Sequence, residues 1–172
     1  LLNDKEAWYA ALVVSQIRLM AMGFDTAWGI DAWYAAKAIS DAKPIEGLET
    51  IAEQFNAMDS MSVDTQATFL LESLNDEAAA INEMQLMVDA WRSGNQAELE
   101  TAMLDSMNEM PELYQNLVVK RNALWAQKIV ELDRSSQNRN YLVIVGGMHL
   151  VGEDSLQQLL KPAGISYRQL SE

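Results

Sequence analysis

The sequence predicts a helix-dominated α/β (α+β) fold, with several long helices packed on a small sheet whose strands lie near residues 44–48, 141–146 and 165–170. Three observations predict it. Apolar residues recur at helical spacing through most of the chain. Tyr141-Leu142-Val143-Ile144-Val145 is a continuous apolar run, β-branched over its last three residues and without alternation, the pattern of a strand buried on both faces. Glycine and proline stand between these segments, where they punctuate structure.

Taken in order, Asn3 or Asp4 is placed to cap a first helix to about Met22, ended by Gly23. Leu12, Gln16, Leu19 and Met20 form its stripe. Gly29-Ile30-Asp31 opens a second helix, with Asp31 near its positive end and Trp33, Ala36 and Ile39 on one side, and it stops at Pro44. Residues 44–48 read as a short strand. Thr50 or Glu49 then starts a helix through Phe55 to Met58, and Ser62 caps the next. Leu70, Leu74, Ile81, Val88 and Trp91 give that one a core face, and Ser93-Gly94-Asn95 breaks it. A further helix holds Leu99, Met103 and Met107. Pro111 begins a long one with Leu117, Leu124, Ile129 and Leu132 on a shared stripe. Residues 135–140 form a polar loop before the 141–146 strand. A helix over 153–160, stopped by Pro162-Ala163-Gly164, and a strand over 165–170 complete a right-handed βαβ-like unit. No linker or low-complexity stretch interrupts the 172 residues, so the expectation is one domain.

The composition narrows the function classes. Hydrophobic residues make up 49% and charged residues 22%, which is ordinary for a folded protein. The net charge of −13 argues against nucleic acid and anionic lipid as partners, since both are held largely by Lys and Arg. The absence of cysteine excludes disulfides, iron–sulfur clusters and thiolate zinc sites, and suits an oxidising compartment. The apolar stretch over 7–24 is broken by Ser15, Gln16 and Arg18, so no membrane insertion by this segment is expected. No signal peptide is recognisable, and the start at Leu1-Leu2-Asn3 points to processing or to a fragment. The ten methionines read as core filler, because none forms a dense Met-x-x-Met cluster.

His149 is the only histidine, placed just past the carboxyl end of the predicted strand, where open α/β sheets bind their ligands. Two readings are open for it: a ligand, or a side chain bonded to a nearby backbone carbonyl. Gly146 and Gly147 would let the backbone approach a bound cofactor closely and adopt positive φ. Arg121 and Asn122, beside Trp125 in a long helix, are either a surface pair or an inward guanidinium and amide facing a site. Glu49 is either a site acid at a strand end or a helix cap. Glu153 and Asp154 would repel an anion and more simply complement a helix dipole. No serine-hydrolase elbow, phosphate loop, dinucleotide fingerprint or His-Glu-x-x-His stretch is present.

Several landmarks together resemble the TraB/GumN family, whose eukaryotic relatives include the Tiki proteins. They are Gly29-Ile30-Asp31; Lys43-Pro44 with Gly47-Leu48-Glu49-Thr50 and Glu53-Gln54; Ala90-Trp91 with Gly94-Asn95; Arg121-Asn122 with Trp125 and Ile129; and Val145-Gly146-Gly147-Met148-His149-Leu150 with Gly152. The family is grouped with proposed metal-dependent hydrolases and carries two Gly-x-x-His motifs, of which residues 146–149 match the second. The first normally lies in an N-terminal β-rich portion, so the resemblance implies that residues 1–172 are the C-terminal part of a larger domain. It implies a metal-ligand role for His149, an acid role for Glu49, polar lining roles for Arg121 and Asn122, a divalent metal ion, and a periplasmic or cell-envelope setting. The expected function is thus that of an incomplete metal-dependent hydrolase, with a peptidase acting on a peptide substrate as its narrower form. The alternative is a non-catalytic peptide- or ligand-binding regulator; haem binding is a third reading. Strands missing from the chain would leave an edge or apolar face for a second copy to cover, so a homo-oligomer is expected.

Overall fold

Every regular element in the computed structural model is helical among the residues it describes, which are 2–74, 77–135 and 139–170, with backbone alone for 77, 105, 106 and 108. This corrects the predicted α/β class. The segments 44–48, 141–146 and 165–170 are extended or irregular, and no backbone ladder joins any two of them among the described residues. β-branched side chains favour extended backbone, but an extended segment becomes a strand only when a neighbour takes its N–H and C=O groups. Nor is the 141–145 run buried on two faces: Tyr141 through Ile144 are all exposed, Leu142 the most at 68%.

The chain divides into two compact units, 1–75 and 76–172. The first contains α1 (Ala7–Ala21), a 3-10 turn (Thr26–Trp28), α2 (Ile30–Ser40), α3 (Ile51–Asp59) and α4 (Val63–Ser73). Helix α1 starts without the expected cap, Glu6 standing at its N-cap with no side-chain bond. It ends as expected at Gly23: φ is +91°, the Gly23 N–H reaches Met20 O and the Phe24 N–H reaches Leu19 O. Thr50 caps α3 through a reciprocal pair with Glu53, and Ser62 caps α4. Trp8, Ala10 and Ala11 of α1 form the core of this unit with Met61 and Gln66, and α1 packs along α4. The Trp8 indole N–H donates to Asp59 Oδ1 at 3.2 Å. Helix α2 buries nothing; its predicted core residues Trp33 and Ile39 are exposed.

The second unit contains α5 (Glu77–Ser93), α6 (Gln96–Asn108), α7 (Pro111–Tyr114), a π-helical turn (Gln115–Val119), α8 (Lys120–Ser135), a 3-10 turn (Gly147–Leu150), α9 (Leu156–Leu160) and a 3-10 turn (Lys161–Ala163). The predicted long helix from Ser62 to residue 92 is therefore two, α4 and α5; residues 75–76 between them lie outside the described residues, as do 136–138 of the predicted polar loop. Asn95 caps α6 by accepting from the N–H groups of Ala97 and Glu98. Helix α5 packs on α6, and α8 on α9, around Ala90, Met110, Leu113, Val118, Trp125, Ala126, Val151 and Leu156. Among the described residues no helix is long and apolar enough to cross a membrane.

Candidate functional site

The site is built on a change of helical pitch. From Pro111 the backbone runs through α7 into the π-helical turn and on into α8. A π-turn holds an extra residue, so it rotates everything after it by roughly one residue's 100° relative to a uniform 3.6-residue helix. The predicted stripe of Leu117, Leu124, Ile129 and Leu132 assumed uniform pitch; Leu124 is instead 61% exposed, and the buried positions are Leu113, Asn116, Val118, Asn122, Trp125 and Ala126. Single-turn π segments of this kind occur often at functional sites.

That rotation carries Asn122 inward. It is fully buried, so of the two readings of Arg121-Asn122 the amide takes the inward one. Its Nδ2 donates to two backbone carbonyls, Asp154 O at 2.8 Å and His149 O at 3.4 Å. Carbonyl oxygens only accept, so that end of the amide is fixed as the donor and Oδ1 must accept. Oδ1 lies 2.7 Å from His149 Nδ1. Nδ1 therefore carries the proton, and in the neutral ring Nε2 is the nitrogen with the lone pair.

His149 sits on the 3-10 turn, 7% exposed, its own N–H donating to Gly146 O at 3.0 Å. Its side chain is thus held by another side chain, Asn122, where one reading of the sequence expected a backbone carbonyl. The Trp125 ring lies 4.4 Å from the imidazole, centroid to centroid, at 47°. Arg121 places its guanidinium 4.6 Å from the centre of the same indole while Nη1 donates to Leu117 O. Trp125 thus lies against both the His149 imidazole and the Arg121 guanidinium, while Asn122 bonds the imidazole at Nδ1.

The two glycines behave differently from expectation. Gly146 has φ −60°, and neither it nor Gly147 takes positive φ. A Cβ on Gly147 would meet Met103 Cε at 3.1 Å and Leu99 Cδ2 at 3.8 Å, so its lack of a side chain serves close packing on α6. The left-handed position is Gly152, φ +81°, where a Cβ would come within 2.9 Å of Leu104 Cδ1. Glu49 stands in the first unit one residue before the Thr50 cap, and capping is done by Thr50 itself.

Two residues outside the predicted site support it: Tyr114, which the sequence did not single out, and Asp154, which it gave another role. Tyr114 Oη donates to Asp154 Oδ2 at 3.0 Å, and Asp154 in turn gives its carbonyl to Asn122. Burial, the bond to Asp154 and the nearby charges of Asp154, Glu100 and Glu153 push the Tyr114 phenol up to about 12. Asp154 was expected to complement a helix dipole, but α9 begins two residues later, behind Ser155. No local pattern in the sequence joins Tyr114 to Asp154, because they are 40 residues apart. A cleft of about 190 Å³ adjoins the turn after His149, lined by Glu100, Leu150, Gly152, Glu153 and Tyr167 among others; His149 is not in its lining.

The described residues supply one imidazole and no cluster of three or more His, Asp or Glu that could hold a metal ion. They fit a single metal ligand and do not by themselves fit a complete centre.

The sequence model of the TraB/PrgY/gumN family matches residues 1–169. The chain is 26% identical over 161 residues to "Uncharacterized protein YbaP" of Escherichia coli (strain K12), and equally to that of Shigella flexneri. These matches cover 94% of this chain and 58% of each relative, so the chain spans under three-fifths of their length. It is 35% identical over 72 residues to "Metalloprotease TIKI homolog" of Amphimedon queenslandica, covering 42% of this chain and 14% of that protein. No solved structure matches.

Proposed function

This chain belongs to the TraB/PrgY/gumN family, and we propose that it is the His149-bearing part of a metal-dependent hydrolase whose substrate is a peptide. The observation that carries the proposal is the bond between Asn122 Oδ1 and His149 Nδ1. Metal-binding histidines characteristically donate their second ring N–H to a fixed acceptor, which sets the tautomer and the ring's orientation. Here that acceptor is itself locked by two backbone carbonyls, so the cost of fixing the imidazole is met before any ion arrives. The peptide substrate rests on the 72-residue likeness to a protein named a metalloprotease.

On this reading His149 Nε2 is one ligand of a divalent ion, and the remaining ligands lie in the part of the protein beyond this chain. Such an ion would supply carbonyl polarisation and a bound water with its pKa lowered toward ~7. The residues of this chain do the positioning. Asn122 holds the proton on Nδ1, and Trp125 covers the imidazole and limits water beside it. Arg121 keeps a positive charge over the indole, where it favours an electron-rich substrate group.

The test is metal content and peptide hydrolysis of the longer protein, measured with and without His149→Ala after circular dichroism has confirmed folding. Stoichiometric metal and turnover, both lost in the variant, are expected. A protein that binds peptide tightly with no metal and no cleavage overturns the reading in favour of a regulatory binding module.

A further inference from the structure

We propose that the cleft beside the turn after His149 is a subsite for the basic side chain, arginine or lysine, of a bound peptide. The inference deepens the hydrolase reading and rests on it for the peptide. The cleft measures about 190 Å³ and lies wholly within the second unit. Sites that enclose a whole small ligand run to roughly 300–1,000 Å³, so this one has room for a single group. Two carboxylates line it, Glu100 from α6 and Glu153 from the turn before α9, and among the described residues no lysine or arginine does. Lys161 stands outside the lining, its ammonium donating to Gln158 Oε1 at 2.6 Å and lying 5.7 Å from the centre of the Tyr167 ring.

A second feature is independent of the charges. Ser155 lines the cleft and is 3% exposed, yet its hydroxyl makes no capping bond to α9 and has no hydrogen-bond partner among the described residues. Its oxygen is not sealed from solvent, so what remains open of this side chain opens on the cleft. Carboxylates only accept, and a hydroxyl can accept as well, so these oxygens together suit one group with several N–H donors. An ammonium carries three and a guanidinium five, each with the positive charge that the cleft lacks. The acids are placed by the turn itself. Glu100 Oε1 would stand 3.7 Å from a Cβ on Gly152, so this carboxylate lies over the turn three residues past His149. After burial and the bond and charge of Asp154, Glu100 and Glu153 both raise the Tyr114 phenol, so their fields converge. Gln157 Nε2 donates to Leu150 O at 3.0 Å, which ties the wall of the cleft to the 3-10 turn carrying His149.

The experiment is a 15N titration of this 172-residue chain, read at the backbone amides of Gly152 and Glu153 and the side-chain amide of Gln157. The probes are arginine and lysine, each acetylated at its α-amine and closed as a methylamide. The same blocked glutamine supplies the peptide groups without charge, and tetramethylammonium chloride the charge without N–H. Butylammonium chloride stands for a free amine and magnesium chloride for a metal ion, all at equal ionic strength. Glu100→Gln, Glu153→Gln and Ser155→Ala alter the lining, both acids being exposed positions that the fold tolerates. Glu131→Gln, exposed on α8 and outside the lining, makes the same charge change elsewhere.

The blocked arginine or lysine is expected to shift these signals saturably, and glutamine, tetramethylammonium and magnesium are not. Each carboxylate variant should weaken binding about tenfold, the loss of one charge-assisted bond, and Ser155→Ala about threefold, while Glu131→Gln leaves it unchanged. A response no larger than that to glutamine or tetramethylammonium overturns the inference. So does equal weakening by Glu131→Gln, which would make the attraction one to the net charge of −13. Binding of butylammonium without either blocked residue reassigns the cleft to a free amine, and tighter binding of magnesium reassigns it to a metal; both overturn the peptide subsite. Metal content of the longer protein separates this from the hydrolase reading. A silent cleft in a protein that holds metal sinks the inference alone, whereas a responsive cleft in a metal-free protein sinks the hydrolase and leaves a binding site for basic residues.

Discussion

Asn122 and His149, 27 residues apart, hold each other through both ends of one amide: Oδ1 accepts from Nδ1 at 2.7 Å, while Nδ2 donates to the histidine's own carbonyl at 3.4 Å. The arrangement fixes the tautomer. In 15N correlation spectra of neutral His149, Nδ1 should appear as the protonated nitrogen. Asn122→Leu removes the acceptor and strands two buried carbonyls, so it should cost ~1–3 kcal/mol in urea unfolding and let the Nε2–H tautomer appear. An unchanged tautomer in the variant would show that something other than Asn122 sets it.

Tyr114 gives the site a pH limit. Its phenol is raised from 10.0 to about 12 by burial first, then by its bond to Asp154 and the surrounding carboxylates. A folded-state pKa above the unfolded one means the protonated form is favoured by folding. The stability it contributes is whole below pH 10 and is lost as pH rises from about 10 to about 12. Unfolding midpoints should fall over that window. Tyr114→Phe should remove this component of the alkaline fall and cost about 1 kcal/mol at neutral pH, through the lost bond to Asp154. Identical alkaline profiles for the two proteins would contradict the assignment.

Punctuation was the legible part of the sequence. Gly23, Pro44, Thr50, Ser62, Gly94-Asn95, Pro111 and Gly164 each mark an element end close to where the structure has one, because caps and breakers act through their own backbone and near neighbours. His149 and Asn122 were legible as candidates. Their contact was not, since it depends on the π-turn at Gln115–Val119, which shifts the buried face away from Leu124. The sheet failed for a related reason. The run at 141–145 encodes a preference for extended backbone, but pairing is a property of a second segment, and among the described residues none supplies it.

Two backbone positions with positive φ should respond in opposite directions. Ala42 ends α2 with φ +52°, its N–H bonded to Ile39 O and the Lys43 N–H to Ala38 O, a helix end that glycine fits better. Relief of left-handed strain, ~1–2 kcal/mol, exceeds the added chain entropy of glycine, so Ala42→Gly should gain ~0.5–1 kcal/mol. Gly152→Ala meets the same strain in reverse and crowds Leu104, so it should lose ~1–2 kcal/mol. Thermal melts of both variants check the pair, and a stabilising Gly152→Ala would mean that the turn after His149 relaxes easily.

Self-association is the expected consequence of what the first unit leaves uncovered. Helix α2 buries no residue, and Trp33, Tyr34 and Ile39 on it are exposed, with Trp28 just before it at 87%. Apolar surface of this kind favours association by removing area from water. The net charge of −13 opposes it, and that repulsion is long-ranged only at low salt. The balance should therefore tip with ionic strength: the mass from light scattering should rise with protein concentration, and rise further when salt is added. Trp33→Glu, at an exposed position that costs the fold little, should hold the chain nearer its 19.2 kDa monomer mass. A monomer at high concentration and high salt would mean that these side chains remain in water as a stable surface.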